Sequence, residues 1–210
     1  MNFIKSALGA ASLAAVMAPA LAAPVVLNFE GIADLSPVGN FYAGVGVTFS
    51  PATLALIDAD AGGSGNFANE PSASTVMFFL DANNAILTYA AGFTTGFSFF
   101  YSSSTAASVN VWSGLNATGT LLGTLNLNAQ FNGNNCVGDP NGQFCNWTAV
   151  GVGFSGTAMS IDFGGTANQT GFDDITFGSV TPGIPEPSTY AMLALGLAGI
   201  GFVARRRKAN

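Results

Sequence analysis

Between residues 24 and 184 the apolar positions come in short runs of five to nine residues, rich in Val, Ile, Thr and Phe and punctuated by Gly, Asn and Ser. The runs are VVLNFE (25–30), VGVTFS (45–50), LALIDA (54–59), TVMFFL (75–80), FTTGFSFFY (93–101), SVNVWS (108–113), TLLGTLNLN (120–128), WTAVGVGF (147–154), MSIDF (159–163) and FDDITFG (172–178). Short strands at near-even spacing, with turn residues between them and no helical period, predict an all-β fold, an antiparallel β-sandwich of jelly-roll-like type. Alternation sets Phe93, Phe97, Phe99 and Tyr101 in an aromatic row on the inner face. In the last run, if Ile175 and Phe177 face the core, a period of two turns Asp173 inward and Asp174 outward.

The two ends of the chain are apolar without alternation. Residues 190–204 form one run of fifteen residues that ends in Arg205, Arg206, Arg207 and Lys208. As a helix it spans roughly 22 Å, short of a hydrocarbon core of about 30 Å, and basic side chains reaching back to the headgroups narrow the gap. This predicts a short C-terminal transmembrane helix whose cationic end is cytoplasmic, with everything before Pro185 on the far side. At the other end, Lys5, the apolar residues 7–18 and the small-residue site Ala20-Leu21-Ala22 read as a signal peptide cleaved after Ala22. The expected organisation is a signal peptide at 1–22, one β-sandwich ectodomain at 23–184, and a sorting and anchor segment at 185–208.

Pro185, Glu186 and Pro187, a short spacer, the apolar run and the basic cluster occur in that order. This tail resembles the PEP-CTERM sorting signal of exported bacterial proteins. The resemblance implies an exosortase-like membrane transpeptidase as partner, cleavage near the Pro-Glu-Pro tripeptide, transient anchoring in the inner membrane, and delivery to the cell surface or to an exopolysaccharide or biofilm matrix. It implies nothing about the activity of the ectodomain.

Charge narrows the classes that remain. Residues 24–184 hold ten acids and no Lys, Arg or His, a formal charge of −10. Nucleic acid is excluded as a partner, because neutralising phosphates requires cations. The absence of His from the chain, and of Lys and Arg from the ectodomain, removes Ser-His-Asp and Cys-His catalysis, imidazole metal sites, Schiff-base lysines and phosphate clamps. A glycosidase needs only two carboxylates, and Asp162 with Asp174 is the pair on offer. The reading here is a noncatalytic protein, with a Ca²⁺-dependent carbohydrate-binding module as the alternative and a secreted carboxylate glycosidase behind it.

A carboxylate turned inward with no cation available must be protonated, held by N–H and O–H donors, or bound to a metal. Glu30, at the end of the first run, joins Asp173 and Asp174 if the two termini of the domain meet, and three hard carboxylates favour a structural Ca²⁺. An N-terminal acid paired with a C-terminal Asp-Asp resembles jelly-roll carbohydrate-binding and lectin-like modules, many of which carry Ca²⁺ there. Asp58 and Asp60, before a glycine-rich stretch, form a second cation-loop candidate that lacks EF-hand spacing. Cys136 and Cys145 predict one disulfide closing a turn-rich loop in an oxidising compartment. Trp112 alternates away from Val109 and Val111, which places an indole on the outer face where a sugar ring can stack, and Trp147 is the second such candidate for extracellular polysaccharide.

Overall fold

The computed structural model describes residues 25–131, 136, 137, 139 and 142–183. The expected signal peptide, the tripeptide Pro185, Glu186 and Pro187, the apolar helix and the cations Arg205, Arg206, Arg207 and Lys208 lie outside the described residues. Among the described residues no helix is long and apolar enough to cross a membrane.

Among the described residues, eleven strands build two antiparallel sheets. They are β1 (Val26–Leu27), β2 (Val47–Phe49), β3 (Leu54–Ile57), β4 (Thr75–Phe78), β5 (Asn84–Phe93), β6 (Gly96–Ser103), β7 (Ala107–Trp112), β8 (Leu121–Leu127), β9 (Thr148–Gly153), β10 (Ala158–Gly164) and β11 (Thr170–Phe177). One sheet runs β3-β4-β11-β6-β9 with β1 also paired to β11, and the other runs β2-β5-β10-β7-β8. The fold is thus an all-β sandwich.

Two local expectations change. The run at 93–101 is not one strand: β5 ends at Phe93, Thr95 takes a φ of +81°, and β6 starts at Gly96 in the other sheet, so the segment crosses from one sheet to the other. Strand β5, the longest at ten residues, carries the sequence NAILTYAAGF, whose alanines and glycine hide a strand that is nonetheless held by β2 and β10 on its two sides.

The core lies between the sheets and is a lattice of phenylalanines. Phe97, Phe99 and Phe163 are fully buried, Phe93 and Tyr101 nearly so, which puts the aromatic row on the inner face. Ring centroids stand 5.4 Å apart for Phe97 and Phe99, 5.5 Å for Phe99 and Phe163, and 5.0 Å for Phe163 and Phe172. Most of these pairs meet edge to face, the arrangement ring quadrupoles favour, and each buried phenylalanine contributes about 1.5 to 3 kcal/mol by leaving water.

Candidate functional site

The last strand, β11, changes partner halfway along. On one side it pairs with β6 throughout, while on the other it pairs with β4 at Gly171 and Phe172 and with β1 at Ile175 and Thr176. The seam between β4 and β1 falls at Asp173 and Asp174, where the register with β6 also shifts. Asp174 takes a φ of +50°, a left-handed conformation that Asp tolerates better than most residues. This bulge adds one residue, so Phe172, Ile175 and Phe177 all reach the core and the strict alternation expected through Asp173 and Asp174 is broken. Both aspartates are fully buried, at 0 % exposure.

The three carboxylates singled out from the sequence do come to this one seam, but they are treated differently. Glu30 Oε1 accepts the backbone N–H groups of Ser74 at 2.9 Å and Thr75 at 2.8 Å, and its other oxygen faces the Thr75 hydroxyl at 3.2 Å. Asp173 accepts from the Ser72 N–H at 3.0 Å, from the Ser72 hydroxyl at 2.8 Å, and from the Asp174 N–H at 2.7 Å. Neither oxygen of Asp174 has a hydrogen-bond donor. Burial, and then the neighbouring Asp174 charge, push the Asp173 carboxyl up to about 8. Burial and then Glu30 push Asp174 up to about 7. The same forces act nearby on Glu70, raised to about 7 by burial and by the charges of Asp58, Glu30 and Asp139.

Among the described residues no group of three or more His, Cys, Asp or Glu side chains is placed to hold a metal ion. The donors of Ser72, Ser74 and Thr75 already occupy Glu30 and Asp173, so the carboxylate left without donors is that of Asp174, whose oxygens are closed to solvent. At the second candidate loop, Asp58 caps a short 3-10 turn and accepts the Asp60 N–H at 3.3 Å. Asp34 ties that loop down by accepting from the Ile57 N–H and the Ser64 hydroxyl, a role its sequence position did not signal. Asp162 does not face Asp174: it sits on β10 in the opposite sheet, where Asn84 Nδ2 donates to it at 2.9 Å. The two are not a carboxylate pair.

Beside the seam, the six-stranded sheet is covered by two loop segments that pair with each other. Phe67 and Phe144 form a parallel bridge, and the Gln143 and Phe144 N–H groups donate to the Asn66 carbonyl. Cys136 and Cys145 form a disulfide that closes the second segment. Trp147 follows it directly. Its indole N–H donates to the Ala68 carbonyl at 3.1 Å and its ring meets Phe67 edge to face. A β-carbon on Gly171 would stand 3.1 Å from the Trp147 ring, so glycine in β11 is what lets the indole lie close across the strand.

Trp147 borders three recesses. One is an apolar slot walled by Leu56, Phe67, Val76, Phe78 and Phe144. The second is polar, with Asn69, Gln130, Asn146 and Thr148. The third is lined by Asn69, Pro71, Phe100, Trp147 and Asp174, so the buried aspartate lies at the wall of a recess that also has two aromatic residues. The sequence named Trp147 and Asp174 separately; their meeting depends on the cover segments and the bulge, which carry no motif. Trp112 is placed at the end of β7 opposite Ser160 and Leu121, half-buried, with its indole N–H shut off from solvent and without an acceptor.

No curated protein matches the sequence. Similar solved structures include a family 6 carbohydrate-binding module at 18 % identity and a TM-score of 0.39, covering 73 % of this chain and 92 % of that one. CsCBM6-3 from Clostridium stercorarium, solved with cellobiose, has 17 % identity and a TM-score of 0.40, with coverage of 73 % and 92 %. TmCBM61, solved with β-1,4-galactotriose, has 12 % identity and a TM-score of 0.38, with coverage of 69 % and 97 %. Likeness at this level leaves ligand and site to be argued from this chain's own residues. Residues 183–208 match the PEP-CTERM protein-sorting motif, and the protein is therefore an exported one whose tail is processed by an exosortase.

Proposed function

We propose that this is a noncatalytic protein of the cell surface or extracellular matrix, delivered by exosortase processing, whose β-sandwich binds carbohydrate in the groove beside Trp147. The observation that carries the delivery is the sorting motif at 183–208, placed after an ectodomain without a single Lys, Arg or His. What supports binding is the groove itself, where a fixed indole, Phe100 and the amide of Asn69 line one recess. Sugar rings offer what such a site needs, an apolar face to stack and hydroxyls that donate. Catalysis has less support, because Asp162 and Asp174 belong to different sheets.

A structural Ca²⁺ is part of the proposal. Glu30, Asp173 and Asp174 share one seam, nothing cationic compensates them, and hard oxygen ligands suit that ion. A bound cation has to displace donors of Ser72, Ser74 or Thr75 to reach more than Asp174.

Mass spectrometry of the mature chain from its native host tests the delivery. The expected product lacks residues 1–22 and ends near Pro185-Glu186-Pro187, and it is recovered outside the cytoplasm. An intact chain in the cytosol, with both ends attached, overturns the proposal.

A further inference from the structure

We propose that two copies of this chain pair through the outer edge of β8, antiparallel and across a two-fold axis, so that their five-stranded sheets join into one.

The two sides of the sandwich end differently. On one side the outermost strands are β2 and β3, and the chain before them covers both: the Phe49 N–H donates to the Gly39 carbonyl at 2.8 Å, the Leu35 N–H to the Ala55 carbonyl at 2.9 Å, and the Ala55 N–H to the Ser36 carbonyl at 3.0 Å. On the other side the outermost strands are β8 and β9. Strand β8 is paired with β7 along one edge, and among the described residues no backbone hydrogen bond from another segment reaches its second edge. Seven residues of extended chain thus present a row of N–H and C=O groups about 23 Å long, a template for another strand. Proline and charged side chains are what usually blunt such an edge, and the sequence LLGTLNL has neither.

Charge selects a second copy as the occupant. All ten acids of the ectodomain lie outside residues 82–138 and 140–161, the stretches that hold β5 to β9. Ectodomains of formal charge −10 repel one another, least where the acids are farthest away. A two-fold axis centred on Thr124 sets that residue opposite its mate and Leu121, 47 % exposed, opposite Leu127. Asp162, the acid carried by this sheet's strands, is in register with Asn110 of β7 and through it with Thr124. Across the joined sheet the two copies of Asp162 stand five strand spacings apart, about 24 Å, well beyond the screening length of about 8 Å at physiological salt. An edge that pairs with itself is isologous, so the assembly closes at two copies.

Sedimentation velocity on the full-length chain in mild detergent, from about 1 to 100 µM, is expected to show a dimer that fills with concentration. Thr124→Asp sets two like charges face to face. It and Asn126→Asp, both at exposed positions, are each expected to weaken the dimer at least about fivefold, with circular dichroism showing the fold intact. Asn40→Asp adds the same charge to an exposed loop on the covered side and is expected to leave the dimer as it was. In hydrogen exchange the β8 amides of the parent are expected to gain protection as the dimer fills, and those of Thr124→Asp to gain none. A monomer at every concentration overturns the proposal, as does a dimer indifferent to both β8 substitutions, which belongs to another surface such as the apolar tail. Amides of β8 protected equally at all concentrations mean that the chain covers this edge itself, and that result overturns it too. Growth past two copies refutes the closed pair.

Discussion

Replacing Asp174 by Asn separates the charge of this side chain from its shape. Asparagine is nearly isosteric and tolerates the left-handed backbone that Asp174 adopts at φ +50°. The carboxyl is raised from its ordinary value of 3.8 to about 7. The native state therefore holds a proton that the unfolded chain releases between those two values, and stability falls as pH rises through that window. Three units at about 1.4 kcal/mol each set an upper bound of about 4 kcal/mol, and relaxation of the seam brings the expectation to about 2 to 4 kcal/mol. The asparagine variant does not titrate. It is expected to match the parent near pH 4, where both side chains are neutral, and to exceed it above about pH 8. For a domain of this size the gain corresponds to roughly 5 to 15 °C in Tm. Thermal unfolding followed by circular dichroism, in excess chelator and across that pH range, reads it directly. A variant less stable than the parent at high pH refutes the reasoning, since the carboxylate must then have a native partner worth more than its desolvation.

Four further outcomes are expected. The parent itself should lose stability as pH rises through 7 and 8, because Asp173, raised to about 8, has the same sign as Asp174; a flat profile of Tm against pH contradicts this. Excess Ca²⁺ should raise Tm over excess chelator if the seam takes the ion, and identical unfolding curves remove Ca²⁺ from the proposal. Replacing Cys136 and Cys145 by Ser opens a loop with a sequence separation of 9 and should cost about 2 to 3 kcal/mol in chemical denaturation, with the fold retained. Phe163→Ala, at the centre of the ring lattice, should cost about 3 to 5 kcal/mol, and a smaller loss would mean the lattice closes around the gap.

The sandwich was legible because nearly every strand carries its own signal: β7 reads Val109 and Val111 inward, and the aromatic row of β6 turns Phe97, Phe99 and Tyr101 to the core. Strand β5 was not, because Ala90, Ala91 and Gly92 have weak strand propensity and its ten residues are held by two neighbours rather than by local preference. At the site, the sequence showed which acids lack cations, since that is composition alone. It could not show which of them are satisfied. Glu30 and Asp173 are quieted by Ser72, Ser74 and Thr75, about 44 residues from the first and 101 from the second, and serines on a loop carry no signature for that task. Alternation also failed at Asp174, because a bulge is set by the need of Phe172 and Ile175 to reach the core together.

The halfway change of neighbours along β11 would have a mechanical meaning if the processed C-terminus tethers the protein, as proposed above. Tension applied through the C-terminus enters the domain at this strand, next to Gly183, whose N–H is bonded to the Thr176 hydroxyl at 2.8 Å. Because β6 grips one edge while β4 and β1 share the other, peeling it away means rupturing ladders on both flanks together. Load arriving from the C-terminal side therefore meets a strand paired on both edges, and a copy tethered through its tail would resist unravelling from that end.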